Sequence, residues 1–158
     1  AAKQINNSKL KIFIVGDDTS DYAKNLRKEY ESNQVIFTGK RQNIKSYLAL
    51  ADVFVIPTKD EGRKEGQPIA PIEAMLSGRV VLGSKISGIK DILQPFQDCL
   101  FQPNSVEDLK RKLEMVMQME VSQREQLAKE MFEFASNNYT IEKSIELHET
   151  LYLNLYRN

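Results

Sequence analysis

Short apolar runs that alternate with helical patterns constrain the fold of this chain more than any other feature of its sequence. Four runs rich in Val, Ile and Phe lie at residues 11–15, 35–38, 53–56 and 80–82. Helical patterns separate them at residues 20–31, at 43–51 and from Pro71 onward. This alternation is typical of a parallel sheet with helices on its faces. The continuous run at 11–15 predicts a strand that is buried on both sides.

The last third of the chain is predicted to be helical, after a weak fifth strand at residues 99–101. Capping-box spacing marks two helix starts, one at Ser105 and one at Ser122. Thr140 is expected to cap a final helix that runs to Tyr156. That helix carries more apolar residues than one narrow face can hold, so we expect part of it to pack on a segment outside this chain.

Composition and charge narrow the classes of function. The chain has 158 residues, of which 41% are hydrophobic, so we expect a single domain over residues 1–158. Basic and acidic residues each number 22, and this zero net charge argues against a general nucleic-acid binder. Cys99 is the only cysteine, which excludes an internal disulfide and favours a reducing, cytoplasmic setting. No apolar run approaches the ~20 residues that a membrane-spanning helix needs.

The turns that follow the predicted strands carry glycines and basic residues. Gly16 follows the first strand, and Gly39 with Lys40 and Arg41 follows the second. Ligands bind at the carboxyl ends of the strands in open α/β sheets, so these turns are expected to converge with residues 57–73, which follow the third strand. Lys40 and Arg41 can offer cations to a phosphate or planar contacts to a base.

The segment from Glu65 to Gly78 joins two carboxylates, a glycine turn and a helix start. Proline is pre-organised for a first helical position, so we expect the helix to begin at Pro71, with Glu73 in its first turn and Gly78 just past its end. The unpaired N–H groups around residues 66–72 then favour an anionic ligand. A structural alternative is that Glu73 only complements the helix dipole.

Other chemistries find little support in the sequence. Asp17, Asp18 and Asp21 fit a helix cap as well as a cation site, so no metal site is predicted. The first turn lacks the three glycines of a dinucleotide fingerprint, which disfavours NAD. His148 is the only histidine and lies far from Cys99 in sequence, so neither a Ser-His-Asp triad nor a Cys-His pair is supported.

The order of these blocks resembles the C-terminal, donor-binding domain of a retaining GT-B glycosyltransferase of group 1, family 4. The most specific part is the Glu-x7-Glu pair at 65 and 73, preceded by Ala-Asp-Val-Phe-Val-Ile-Pro at 51–57. Further matching blocks lie at residues 14–17, 35–39, 88–93 and 139–142. Asp18 departs from the family pattern, which has a second glycine there. The family's basic pair that clamps the diphosphate has no match in residues 1–10.

The resemblance implies roles for the matching positions. As the catalytic residue, Glu65 would contact hydroxyls of the transferred sugar, and Glu73 would hold the ribose of the nucleotide. Backbone N–H groups near Gln67 and Ile69 would face the diphosphate or the sugar. The implied donor-binding set is Gly16, Gly39, Arg41, Gly66, Gln67, Pro68, Ile69 and Glu73. The resemblance implies no metal or other cofactor, and the substrate would be a nucleotide-sugar such as a UDP-, GDP- or ADP-hexose.

The resemblance also implies the architecture and the partners. The chain would form a Rossmann-like three-layer α/β domain with a parallel sheet and a helical C-terminal third, one half of a GT-B fold. It would bind the nucleotide-sugar from which a hexose passes to a glycan or lipid-linked acceptor. Residues 140–158 would pack toward a missing N-terminal acceptor domain, without which we expect no useful transfer. The expected location is cytoplasmic, with peripheral attachment of the full-length protein to the inner face of the membrane also considered.

Two alternatives stay open at this point. The chain could be a non-catalytic, Rossmann-like nucleotide-binding or docking module. It could also belong to a sugar-nucleotide epimerase of GT-B type, which would need acid and base residues from the missing half. The sequence does not distinguish among uridine, guanosine and adenosine as the nucleoside.

Overall fold

The computed structural model describes residues 1, 4–5, 7–59 and 66–156, and all structural statements refer to these residues. Strands and helices alternate along this part of the chain before a helical C-terminal third. The strands are β1 Ile12–Val15, β2 Val35–Gly39, β3 Val53–Ile56, β4 Val80–Ser84 and β5 Leu100–Phe101. The α-helices are α1 Asp21–Tyr30, α2 Ile44–Leu50, α3 Ile69–Leu76, α4 Ile89–Ile92, α5 Val106–Gln118, α6 Val121–Asn138 and α7 Ile141–Tyr156.

Every strand pair is parallel, which confirms the predicted α/β class. Hydrogen bonds join the described strands into two ladders, β1–β2 and β3–β4–β5, whereas the sequence predicted one sheet. Parallel pairing places the carboxyl ends of neighbouring strands at the same edge of each ladder. The turns after β1 and β2 therefore lie side by side, as do those after β3 and β4.

The hydrophobic core is built around β4. Val80, Val81 and Leu82 have no exposed surface, as expected for a strand covered on both faces. Gly83 lets α4 pack directly on this strand, since a Cβ at residue 83 would lie only 2.5 Å from Cγ2 of Ile89. Helices α3, α5 and α6 supply further fully buried residues, namely Ala74, Met75, Val116, Met131 and Ala135.

Strand β1 is less buried than its apolar sequence predicts. Phe13 is 47% exposed and Ile14 is 41% exposed, so the prediction of burial on both faces is wrong. The main core cluster is assembled from β3, β4, β5 and their helices, and α1 buries none of its residues. Phe13 instead makes an edge-on contact with Tyr47 of α2, with ring centroids 6.1 Å apart.

The helix starts follow side-chain capping in most cases. Ser105 accepts a hydrogen bond from the Asp108 amide, and Thr140 accepts one from the Lys143 amide, as predicted. The prediction of a cap at Ser122 is wrong, because α6 begins at Val121, two residues earlier than such a cap implies. Its capping residue is Glu120, whose amide donates to the side chain of Gln123.

Helix α7 leaves a broad apolar surface uncovered, and none of its described residues is buried. More than half of the surface is exposed for each of its large apolar residues, which are Ile141, Ile145, Leu147, Leu151, Tyr152, Leu153, Leu155 and Tyr156. The described helices include none with the length and apolar character to cross a membrane.

Candidate functional site

An open hollow of ≈ 530 Å³ lies where β3 ends and α3 begins. Its position agrees with the rule that ligands of α/β sheets bind outside the carboxyl ends of the strands. Four of the predicted donor-binding residues are among those that line it. The lining residues are Ile56, Thr58, Gly66, Gln67, Pro68, Ile69 and Ala70.

The start of α3 presents two backbone donors that no described residue outside the helix pairs with. The helix begins at Ile69, two residues earlier than predicted, and its capping residue Pro68 makes no side-chain cap. Of the first four backbone nitrogens at a helix start, those of Pro68 and Pro71 carry no hydrogen. The N–H groups of Ile69 and Ala70 remain, and no hydrogen bond from either to another described residue is present outside the helix. Together with the helix dipole, they favour an anion at this end of the hollow.

Glu73 lies in the second turn of α3, so the prediction that it occupies the first turn is wrong. The sequence could not choose between two prolines, each compatible with a helix start, and Pro71 is in fact the third helical residue. Stabilisation by the dipole falls off within the first turn, which weakens the purely structural explanation for Glu73. Its side chain is exposed and follows Ile69 by four positions, so both lie on the same face of the helix.

The strand ends beneath the hollow are held by a buried hydroxyl. Ser84 is 1% exposed, and its Oγ donates to the carbonyl oxygen of Ile56 over 3.2 Å. This bond ties the last residue of β3 to the last residue of β4, so the position of Ile56 is fixed. This contact could not be predicted from a local pattern, because its partners are 28 positions apart in the sequence.

The other predicted donor-binding residues lie at the edge of the β1–β2 ladder. The Gly16 amide donates to the Gly39 carbonyl oxygen over 3.3 Å, which joins the two turns. Gly39 has φ +71°, a conformation that favours glycine, and Arg41 is exposed just after it. Gly16, Gly39, Arg41 and Glu73 do not line the hollow. Glu65 lies outside the described residues.

Charged side chains surround this second edge. Hydrogen bonds from Thr19 hold the pKa of Asp17 below its ordinary value of 3.8, and Lys40 adds a smaller effect in the same direction. Ser20 caps α1 by accepting from the Ala23 amide, so the aspartates at this turn are not the helix cap. Among the described residues, no three potential metal ligands come together.

A second surface hollow, of ≈ 370 Å³, lies along α5, away from the strand ends. Most of the charged side chains that line it are already paired, as Asp108 with Arg111 and Lys110 with Glu114. Asp108 also accepts a hydrogen bond from the Gln102 amide, which is the main reason that its pKa is lowered. These groups stabilise the start of α5, and we assign the hollow no ligand.

The sequence pattern of the family Glycosyl transferases group 1 matches residues 1–134. The chain belongs to this family. Among its curated relatives, this group 1 chain is 34% identical over 95 residues to the serotype-specific mannosyltransferase WbdA of Escherichia coli. It is 32% identical over 113 residues to the sulfoquinovosyl transferase SQD2 of Arabidopsis thaliana. The matches cover 59% and 68% of this chain but only 11% and 21% of those proteins.

Solved structures agree on the fold. The protein HepE of Anabaena, crystallised with UDP, aligns with a TM-score of 0.77 at 22% identity, over 92% of this chain and 41% of that one. The C-terminal domain of the group 1 protein LpcC of Francisella tularensis aligns with a TM-score of 0.65 at 24% identity, over 77% of this chain and 64% of that one. The predicted Rossmann-like, GT-B type of domain is therefore confirmed. This chain spans less than half the length of HepE.

Proposed function

We propose that this chain is the donor-binding half of a retaining glycosyltransferase, and that a nucleotide-hexose binds at the hollow between β3 and α3. One observation carries the proposal: the N–H groups of Ile69 and Ala70, which no described residue outside the helix pairs with, lie at an open hollow at the carboxyl end of β3. Family membership supports it, as does the complex of HepE with UDP-glucose.

The proposed arrangement assigns one part of the donor to each group. The diphosphate lies at the start of α3, where oriented amide dipoles stabilise the charge that develops as the sugar leaves. Glu73, one turn further along the same helix face, accepts hydrogen bonds from the ribose hydroxyls. Glu65 accepts hydrogen bonds from hydroxyls of the transferred sugar, a role that the family resemblance supports. Ionised carboxylates suit both tasks because charge-assisted hydrogen bonds are strong and directional.

The acceptor side of the reaction is proposed to come from another part of the protein. Helix α7 supports this, because its apolar residues surround much of the helix and remain exposed on this domain. We propose that this surface packs on the acceptor domain of the same protein. On its own, the chain is then expected to bind a donor weakly and to show no hexose transfer above a control without enzyme.

The location is proposed to be cytoplasmic. The only cysteine, Cys99, is buried, and burial raises the pKa of its thiol to about 11. Cys99 is therefore a core residue whose thiol has little reactivity, and it does not act as a disulfide partner. A free thiol of this kind agrees with a reducing, cytoplasmic setting.

The substitution Glu73→Gln tests the site. We expect it to weaken binding of the preferred nucleoside diphosphate about tenfold, since a hydrogen bond to a charged group contributes about 1.5–3 kcal/mol. The loss should be the same with or without an attached sugar, because the contact is to the ribose. Titration calorimetry of the chain with UDP, GDP and ADP measures it.

The matched control for this experiment is Glu125→Gln, an exposed glutamate on α6 that is remote from the hollow. It should leave every affinity unchanged. If Glu73→Gln binds nucleotides as well as the parent, the proposed ribose contact is wrong and a docking module becomes the better interpretation. If the parent binds none of the three nucleotides, the donor-binding function itself is wrong.

A further inference from the structure

The carboxylate of Asp18 spans from the turn after β1 to the turn after β2. A Cβ placed on Gly39 would lie 3.3 Å from each of the two carboxylate oxygens, so the side chain rests directly on that glycine. The Gly16 amide and the Gly39 carbonyl join the same two turns. Asp18 therefore covers the backbone at the carboxyl end of the β1–β2 ladder.

Arg27 holds the Asp18 carboxylate in this position. Its Nη1 donates to Oδ2 of Asp18 over 3.0 Å, and its Nε donates to both carboxylate oxygens of Glu31. Glu31, at the end of α1, thus holds the guanidinium of Arg27 in place, and the guanidinium in turn holds the Asp18 carboxylate. No hydrogen bond to Oδ1 of Asp18 from a described residue is present, and the side chain keeps 30% of its surface exposed.

We propose that Asp18 is a specificity-determining residue of the donor site, which accepts a hydrogen bond from an N–H group of the nucleobase. This inference rests on the proposed function. The Oδ1 atom that no described residue pairs with is a hydrogen-bond acceptor, so it suits a part of the nucleotide that carries donors rather than the phosphates, whose oxygens are themselves acceptors. The proposed function already assigns the ribose hydroxyls to Glu73, so the N–H groups of the base are the donors that remain for Asp18.

Uracil, guanine and adenine carry their N–H groups at different places, so a carboxylate fixed on both sides discriminates among them. A flexible carboxylate would follow the donor and discriminate less. Arg27 is accordingly a positioning residue, since it acts on the base only through Asp18.

The test compares the parent chain with Asp18→Asn in titrations with UDP, GDP and ADP. The amide keeps the shape of the side chain but loses its charge, so the preferred nucleotide should lose about tenfold in affinity. The least preferred nucleotide should change by less than about twofold, because it makes no such bond. Arg27→Gln should also lower the ratio between the best and the worst affinity, because it no longer holds the Asp18 side chain in place.

The matched control is Asp21→Asn, three residues away, where the side chain is 99% exposed. It should leave all three affinities unchanged, and urea unfolding of each variant shows whether the fold is kept. A best-to-worst ratio that falls by less than about threefold in Asp18→Asn, or a parent without any preference, overturns the inference. The proposed function stands in either case, because the parent chain still binds nucleotide in both; a parent that binds no nucleotide would overturn the proposed function instead.

Discussion

Glu65→Gln is expected to weaken binding of the nucleotide-sugar by about tenfold or more while the affinity for the matching nucleoside diphosphate stays unchanged. The reason is that Glu65 is proposed to contact only the transferred sugar. Its carboxylate would accept charge-assisted hydrogen bonds from sugar hydroxyls, and the amide of glutamine would replace them with weaker neutral ones. Calorimetric titrations of the chain with UDP-glucose and with UDP measure the difference in affinity. If GDP or ADP binds better than UDP, that nucleotide and its sugar-bearing form are used instead.

The paired control is Glu73→Gln, which should weaken the sugar-bearing and the bare nucleotide by the same factor. The two glutamates thus give two different patterns from one set of titrations. An equal loss for both ligands in Glu65→Gln would place this residue at the nucleotide instead. No loss for either ligand would remove Glu65 from the donor site.

Met131→Ala is expected to lower the free energy of unfolding by about 3 kcal/mol, within the ~2–5 kcal/mol seen for fully buried methionine. Met131 is 0% exposed and packs from α6 onto β4. Its sulfur also accepts a hydrogen bond from the Val81 amide over 3.3 Å. Strand β5 pairs with β4 only at Gly83 and Ser84, so it does not pair with the part of β4 that contains Val81. Urea unfolding followed by circular dichroism measures the loss.

Two variants separate the causes of this loss. Met131→Leu keeps the volume and removes only the sulfur, so it should cost less than about 1.5 kcal/mol. Leu50→Ala, at a position that is 78% exposed, should stay within about 0.5 kcal/mol of the parent. A Met131→Ala chain as stable as the parent would mean that α6 does not support β4 in the way described.

The sequence was sufficient for the features that depend on local pattern. Alternating apolar runs predicted the five strands. Ser105 and Thr140 marked helix starts, because a cap depends on residues only three positions apart. Gly78 follows α3 with φ +68°, as the pattern of a helix end requires. The hollow was predicted in part, since Gly66 to Ile69 come after the predicted third strand.

The features that depend on tertiary contacts could not be predicted. The apolar run of β1 signals burial, but the covering elements decide it, and Phe13 stays half-exposed. Ile56 and Thr58 line the hollow because of where β3 ends relative to α3. The Asp18–Arg27 pair is nine residues apart, and its contact with Gly39 depends on how two turns meet. No local pattern encodes such a distance.

Amide chemical shifts in ¹⁵N-labelled chain, followed during titration with UDP, GDP and ADP, test the central claim most directly. We predict that the largest saturable changes in chemical shift occur at the amides of Gly66, Gln67, Ile69 and Ala70, which line the hollow. Smaller shifts should appear at Gly16 and Gly39, at the edge of the β1–β2 ladder. Shifts confined to α5 or α7, or no saturable shift with any of the three nucleotides, would contradict donor binding at the start of α3.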